Sequence, residues 1–112
     1  MNNIFETHFQ ALEEIRLLHT TRLKDLNNID ALVTDLYHMI ECLNLDAVQL
    51  MRVTKKLKEV LKQRREIKED VTFCQIVLNP TTKITFAEMQ KRKMARLDSH
   101  KKEAAEKFKK LF

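Results

Sequence analysis

From Phe5 onward, apolar positions recur at alternating spacings of four and three: Phe5, Phe9, Leu12, His19, Leu23, Leu26, Val33, Tyr37 and Ile40, with Arg16 and Asp30 as polar interruptions. A repeat near 3.5 residues draws a stripe along one side of a helix, which predicts lengthwise packing against another helix. A second series, Ile15, Leu18, Ile29, Leu32, Leu36, Met39 and Leu43, keeps the same spacing on a neighbouring face and is broken only at Arg22 and Asp25. One helix carrying two seams wants two partners, so this second series is the expected oligomer seam. Asn3 with Glu6 three residues on is the expected capping box at its start. Asn27-Asn28 is the one place where the run could break or kink. The first seam crosses that pair in phase, which favours a single helix of about 40 residues, about 60 Å long.

The pattern resets near Asn44-Leu45, and Asp46 with Gln49 offers a second capping box. A short loop there makes an antiparallel hairpin in which facing residue numbers sum to about 89. Val53, Leu57, Val60, Ile67, Val71, Cys74 and Leu78 again alternate four and three, with Arg64 as the interruption, so a second helix is expected to reach about residue 78. From Val71 to Phe86 the density of Val, Thr, Phe and Ile leaves a short β-hairpin around 71–86 open as the alternative, with Asn79-Pro80 as its turn. Thr85 with Glu88 is the expected cap of a third helix, carried by Met94, Leu97, Ala104, Phe108 and Leu111. Its apolar stripe is thin and interrupted by Lys101.

Composition supports this all-α reading, because the 112 residues include no Gly and one Pro, with 33% charged and 44% hydrophobic residues. Without glycine, phosphate-cradling loops and nucleophile elbows lack the residue they need. No apolar stretch approaches the length needed to span a bilayer, so no membrane is expected. Cys42 and Cys74 are too few for a secreted disulfide framework, and no signal-peptide pattern opens the chain. A reducing, cytoplasmic setting is the expectation. In the hairpin register above Cys74 falls opposite position 15, roughly 40 Å from Cys42 by the helical rise, which excludes an intrachain disulfide.

Charge is segregated along the chain. Residues 1–50 carry three basic and eight acidic side chains, whereas residues 51–70 carry eight basic and four acidic. In an antiparallel hairpin these opposite charges flank the seam and set orientation more than stability. From Lys83 to the end there are ten basic residues and four acidic. Lys91, Arg92, Lys93, Arg96, Lys101, Lys102, Lys107, Lys109 and Lys110 are therefore candidates for tracking phosphates or docking on an acidic protein surface. Phe86, Phe108 and Phe112 are too few to make a convincing base-stacking platform.

Catalytic chemistry finds little to stand on. Asp35, His38 and Cys42 share a helix face but make at most part of a metal site, with no second Asp-x-x-His and no Cys-x-x-Cys to complete it. Glu66, Glu69 and Asp70 resemble half of the magnesium-binding acidic set used by all-helical nucleotide pyrophosphohydrolases, and no matching second half accompanies them. His8, His19 and His100 lack a nucleophile partner; at a seam position His19 serves register. No enzyme activity, metal or cofactor is expected.

The run from Leu57 to Glu69, LKEVLKQRREIKE, resembles a segment of small helical proteins of bacteriophages and prophages of Gram-positive bacteria, over about Leu45 to Cys74. That resemblance implies a phage accessory protein and transfers no functional residue. The resulting expectation is a hairpin over residues 1–79, then a short linker and basic helix over 80–112. The chain is expected to self-associate as a dimer or tetramer and to bind another protein, inhibiting or redirecting it. A nucleic-acid-binding accessory factor using the basic helix is the alternative.

Overall fold

The computed structural model describes residues 2–79 and 86–112. Among the described residues there are three α-helices and no strand: α1 (Asn2–Cys42), α2 (Ala47–Leu78) and α3 (Phe86–Leu111). The chain divides into two units, Met1–Asn79, which holds the α1–α2 hairpin, and Pro80–Phe112, which holds α3.

α1 runs without interruption through Asn27-Asn28. It already includes Asn2 and Asn3, so Asn3 lies inside the helix rather than capping it; its carbonyl accepts from Thr7 Oγ1 at 2.6 Å. At an exposed helix end water satisfies the first N–H groups, and a side-chain cap is dispensable. The cap at Asp46 forms in full: Asp46 Oδ1 accepts from the Gln49 amide at 2.8 Å, while Gln49 Oε1 accepts from the Asp46 amide at 3.1 Å. Here the chain reverses within four residues, and the reciprocal bonds fix the entry to α2.

Residues 71–78 are the last turns of α2, which removes them from the alternative β-hairpin; the remainder of that segment, residues 80–85, lies outside the described residues, as does Thr85, the expected cap of α3. Two contacts override the β-branched composition. Val71 and Cys74 are buried in the hairpin core, and Thr72 Oγ1 donates to the Lys68 carbonyl at 2.9 Å. The same back-bond to the carbonyl four residues earlier is made by Thr7, Thr20, Thr21, Thr34 and Thr54, so these hydroxyls are satisfied inside helices. α2 ends where Asn79 turns extended (φ −88°, ψ 112°), the conformation that a following proline favours.

The core is a single thin layer. Ile29 and Leu36 of α1 pack with Leu57 and Val60 of α2, flanked by Leu26, Val33, Ile40, Val53 and Ile67. Val60 and Cys74 are the most enclosed, at 1% and 0% exposure. On α2 the core residues are those the sequence pattern picks out. On α1 they come from both series at once. Leu12, His19, Leu26, Val33 and Ile40 form one column, and Ile15, Arg22, Ile29 and Leu36 the other, all of them buried or half-buried. Ile29 and Leu36, expected on the oligomer seam, are instead the two most buried residues of α1.

The register also differs from expectation. Arg22 pairs with Asp70 and Arg64 with Asp30, so facing numbers sum to 92 and 94, about one turn away from 89. Two heptad patterns interlock only in registers seven residues apart. The allowed one aligns Leu36 with Leu57 and Val33 with Val60, and it sets Cys74 near His19 instead of position 15. Both cysteines are free thiols, Cys42 exposed and Cys74 buried.

Candidate interaction surface

Once α2 has covered the two core columns, α1 still shows apolar residues on both flanks. Beside the second column, Ile4, Ala11, Leu18, Leu32 and Met39 recur every seven residues with Asp25 as the one charged member, and all five apolar members are exposed. Leu18, Leu32 and Met39 remain 41%, 37% and 38% exposed within the folded hairpin. On the other flank Phe9, Leu23 and Tyr37 are exposed too, but Arg16 and Asp30 interrupt them. The less interrupted flank is therefore the wider apolar surface. Of the seven residues expected on the oligomer seam, Leu18, Leu32, Met39 and Leu43 are exposed, Ile15 is half-buried, and Ile29 and Leu36 belong to the hairpin interior.

The same side of the hairpin carries an open groove lined by Arg22, Asp25, Asn28, Ile29, Leu32, Gln63, Glu66, Ile67 and Asp70. Arg22 occupies a core-column position, where its aliphatic stem lies along the seam and its guanidinium reaches out to the groove. It stands 3.3 Å from Asp25 and 3.1 Å from Asp70. The contact with Asp70 is an ion pair by distance in which Nε finds no well-directed hydrogen bond. Arg64 does the same on the opposite side, where its Nε donates to Asp30 Oδ1. Thus both seam arginines are held by an aspartate of the other helix. Of the acidic set read in sequence, Asp70 pairs with Arg22 and Glu66 lines the same groove.

His19 is half-buried in the first column, and its Nε2 is shielded without a hydrogen-bond partner among the described residues. Burial pushes the Cys74 thiol above the usual range, Asp70 adds to the rise, and Arg22 opposes it. Asp35, His38 and Cys42 lie exposed along α1. Among the described residues no three His, Cys, Asp or Glu side chains come together to hold a metal. No helix of the described residues is long and apolar enough to cross a membrane.

α3 carries the nine basic candidates, Lys91 to Lys110, along a helix whose described side chains are nearly all exposed; only Met89, Lys93 and Leu97 are half-buried. Glu88 in the first turn and Lys109 and Lys110 in the last oppose the helix dipole with the favourable sign. At its end the Phe108 and Phe112 rings contact each other with centroids 4.9 Å apart. Lys101 apart, its basic residues lie off the thin strip of Met94, Leu97, Ala104, Phe108 and Leu111, so α3 presents a broad charged face beside an apolar strip.

Comparison of the chain with protein-family models, with curated proteins and with solved structures gave no match.

Proposed function

We propose that this chain is a non-enzymatic helical interaction protein that self-associates through the uncovered flank of α1 and binds another protein, inhibiting or redirecting it. The observation that carries this reading is the row Ile4, Ala11, Leu18, Leu32 and Met39, which stays exposed after the hairpin has closed. A helix that needed only α2 would have polar residues there, because an apolar stripe wider than two columns suits a bundle of more than two helices. The resemblance of Leu57–Glu69 to phage and prophage proteins suggests a host protein as the target, met in the cytoplasm.

The second reading is a nucleic-acid-binding accessory factor. It is favoured by α3, where Lys91, Arg92, Lys93 and Arg96 crowd into the first half of the helix and Lys101, Lys102, Lys107, Lys109 and Lys110 continue it. Fluorescence anisotropy of a labelled generic DNA duplex and of a single-stranded RNA, titrated with the full chain at low and at physiological salt, separates the two readings. The interaction-protein reading expects no salt-resistant binding to either. Binding whose logarithm falls linearly with the logarithm of salt, and which weakens when Lys101, Lys102, Lys107 and Lys109 are changed to Gln, would establish the second reading instead.

A further inference from the structure

Resting on the self-association reading, we propose a specific partner arrangement. Two copies pair α1 against α1, antiparallel, about a two-fold axis passing between Arg22 and Asp25, with Arg22 of each copy facing the partner's Asp25.

Three observations on α1 lead there. First, α2 cannot cover the N-terminal end of α1. Asp70 faces Arg22, and α2 ends eight residues later at Leu78, which reaches only about as far as residue 14 of α1. Every described side chain from Asn3 to Ala11 is accordingly exposed, Ile4 and Phe5 at 77% and 78%. Second, the apolar flank is continuous with the hairpin core, since it stands beside the Ile15, Arg22, Ile29 and Leu36 column and shares its seven-residue period from Ile4 to Met39. Third, the only charges in these two rows, Arg22 and Asp25, are of opposite sign and adjacent to their midpoint.

Charge then selects both partner and register. A seven-residue pattern packs antiparallel on its own copy only in registers seven residues apart. In one of these, Arg22 meets the partner's Asp25 and Asp25 meets the partner's Arg22, with the exposed Leu18 and Leu32 of each copy on either side of the charge pairs. A slip of seven residues either way sets Arg22 against a leucine, so that its only carboxylates are Asp25 and Asp70 of its own chain and the pairing across the interface is lost. The guanidinium of Arg22 has five N–H donors and can serve the partner's Asp25 while keeping Asp70. Length suffices as well: a strip along α1 about 60 Å long and about 10 Å wide covers roughly 600 Å² per copy, near the roughly 800 Å² per partner of stable interfaces.

The test uses two full-length charge variants, Asp25→Arg and Arg22→Glu, with light-scattering mass and helicity by circular dichroism measured on each alone and on an equimolar mixture. Each variant alone sets like charges opposite one another and weakens dimerisation by about tenfold or more. The mixture restores it, because positions 22 and 25 are then both basic in one copy and both acidic in the other. Leu18→Lys, at a position exposed in the hairpin, keeps the test open if Arg22→Glu fails to fold next to Asp70, and is expected to give a helical monomer. A dimeric wild type whose variants dimerise as well as it does overturns this arrangement and leaves self-association standing. A wild type that is monomeric, or that gains mass only with another protein, overturns self-association itself.

Discussion

At the scale of single residues the hairpin is held by a few enclosed side chains, and their replacement is correspondingly costly. Leu36 is 5% exposed in the centre of the core layer, so Leu36→Ala loses about 2–4 kcal/mol in chemical denaturation. The same change at Leu32, on the uncovered flank, costs the isolated hairpin much less. The two thiols offer a sharper contrast. Exposed Cys42 reacts at once with a thiol reagent at neutral pH, whereas Cys74, fully buried and held above the usual thiol range, reacts only as fast as the hairpin opens. The sign of the pH effect follows from the same burial. The folded state keeps the Cys74 proton more tightly than the unfolded chain, so this contribution to stability is complete below the unfolded thiol pKa and is lost as pH rises through the folded one. Denaturation midpoints are therefore expected to fall in the alkaline range, and Cys74→Ala removes that slope.

At the scale of elements, capping and seam phase decide where helices begin and how they align. Asp46→Ala removes a reciprocal pair of hydrogen bonds at the start of α2 and costs about 1 kcal/mol, measurable as a lower thermal midpoint, while Asn3→Ala, inside α1 at its exposed end, has little effect. The ion pairs Arg22–Asp70 and Arg64–Asp30 involve half-exposed groups and fix register more than they stabilise. Much of this was legible in the sequence. Three helices, the turn, the Asp46–Gln49 box and every core position of α2 follow from spacing alone, because α2 has polar residues beside its columns. α1 resisted the same treatment, since apolar residues flank its columns on both sides and two alternating series fit equally well. Treating Arg22 as an interruption hid the second column, although its stem packs where a leucine would. The register was missed by one turn because it was counted from the loop, whereas the interlocking of two heptad patterns sets it.

At the scale of the whole molecule, the charge asymmetry found along the sequence is partly absorbed by the hairpin, where acidic α1 lies against basic α2. Among the described residues an uncovered apolar flank on α1 and the basic helix α3 are the two surfaces on which the proposed readings rest. The flank carries the account's central claim, that α1 is built to be covered twice, by α2 and by a second copy. Sedimentation equilibrium of the full chain, across micromolar to tens of micromolar concentration and at low and high salt, tests it most directly. A mass of two chains that persists at high salt, as expected for an interface that is mostly apolar, is the predicted result. A mass of one chain throughout the range would contradict it.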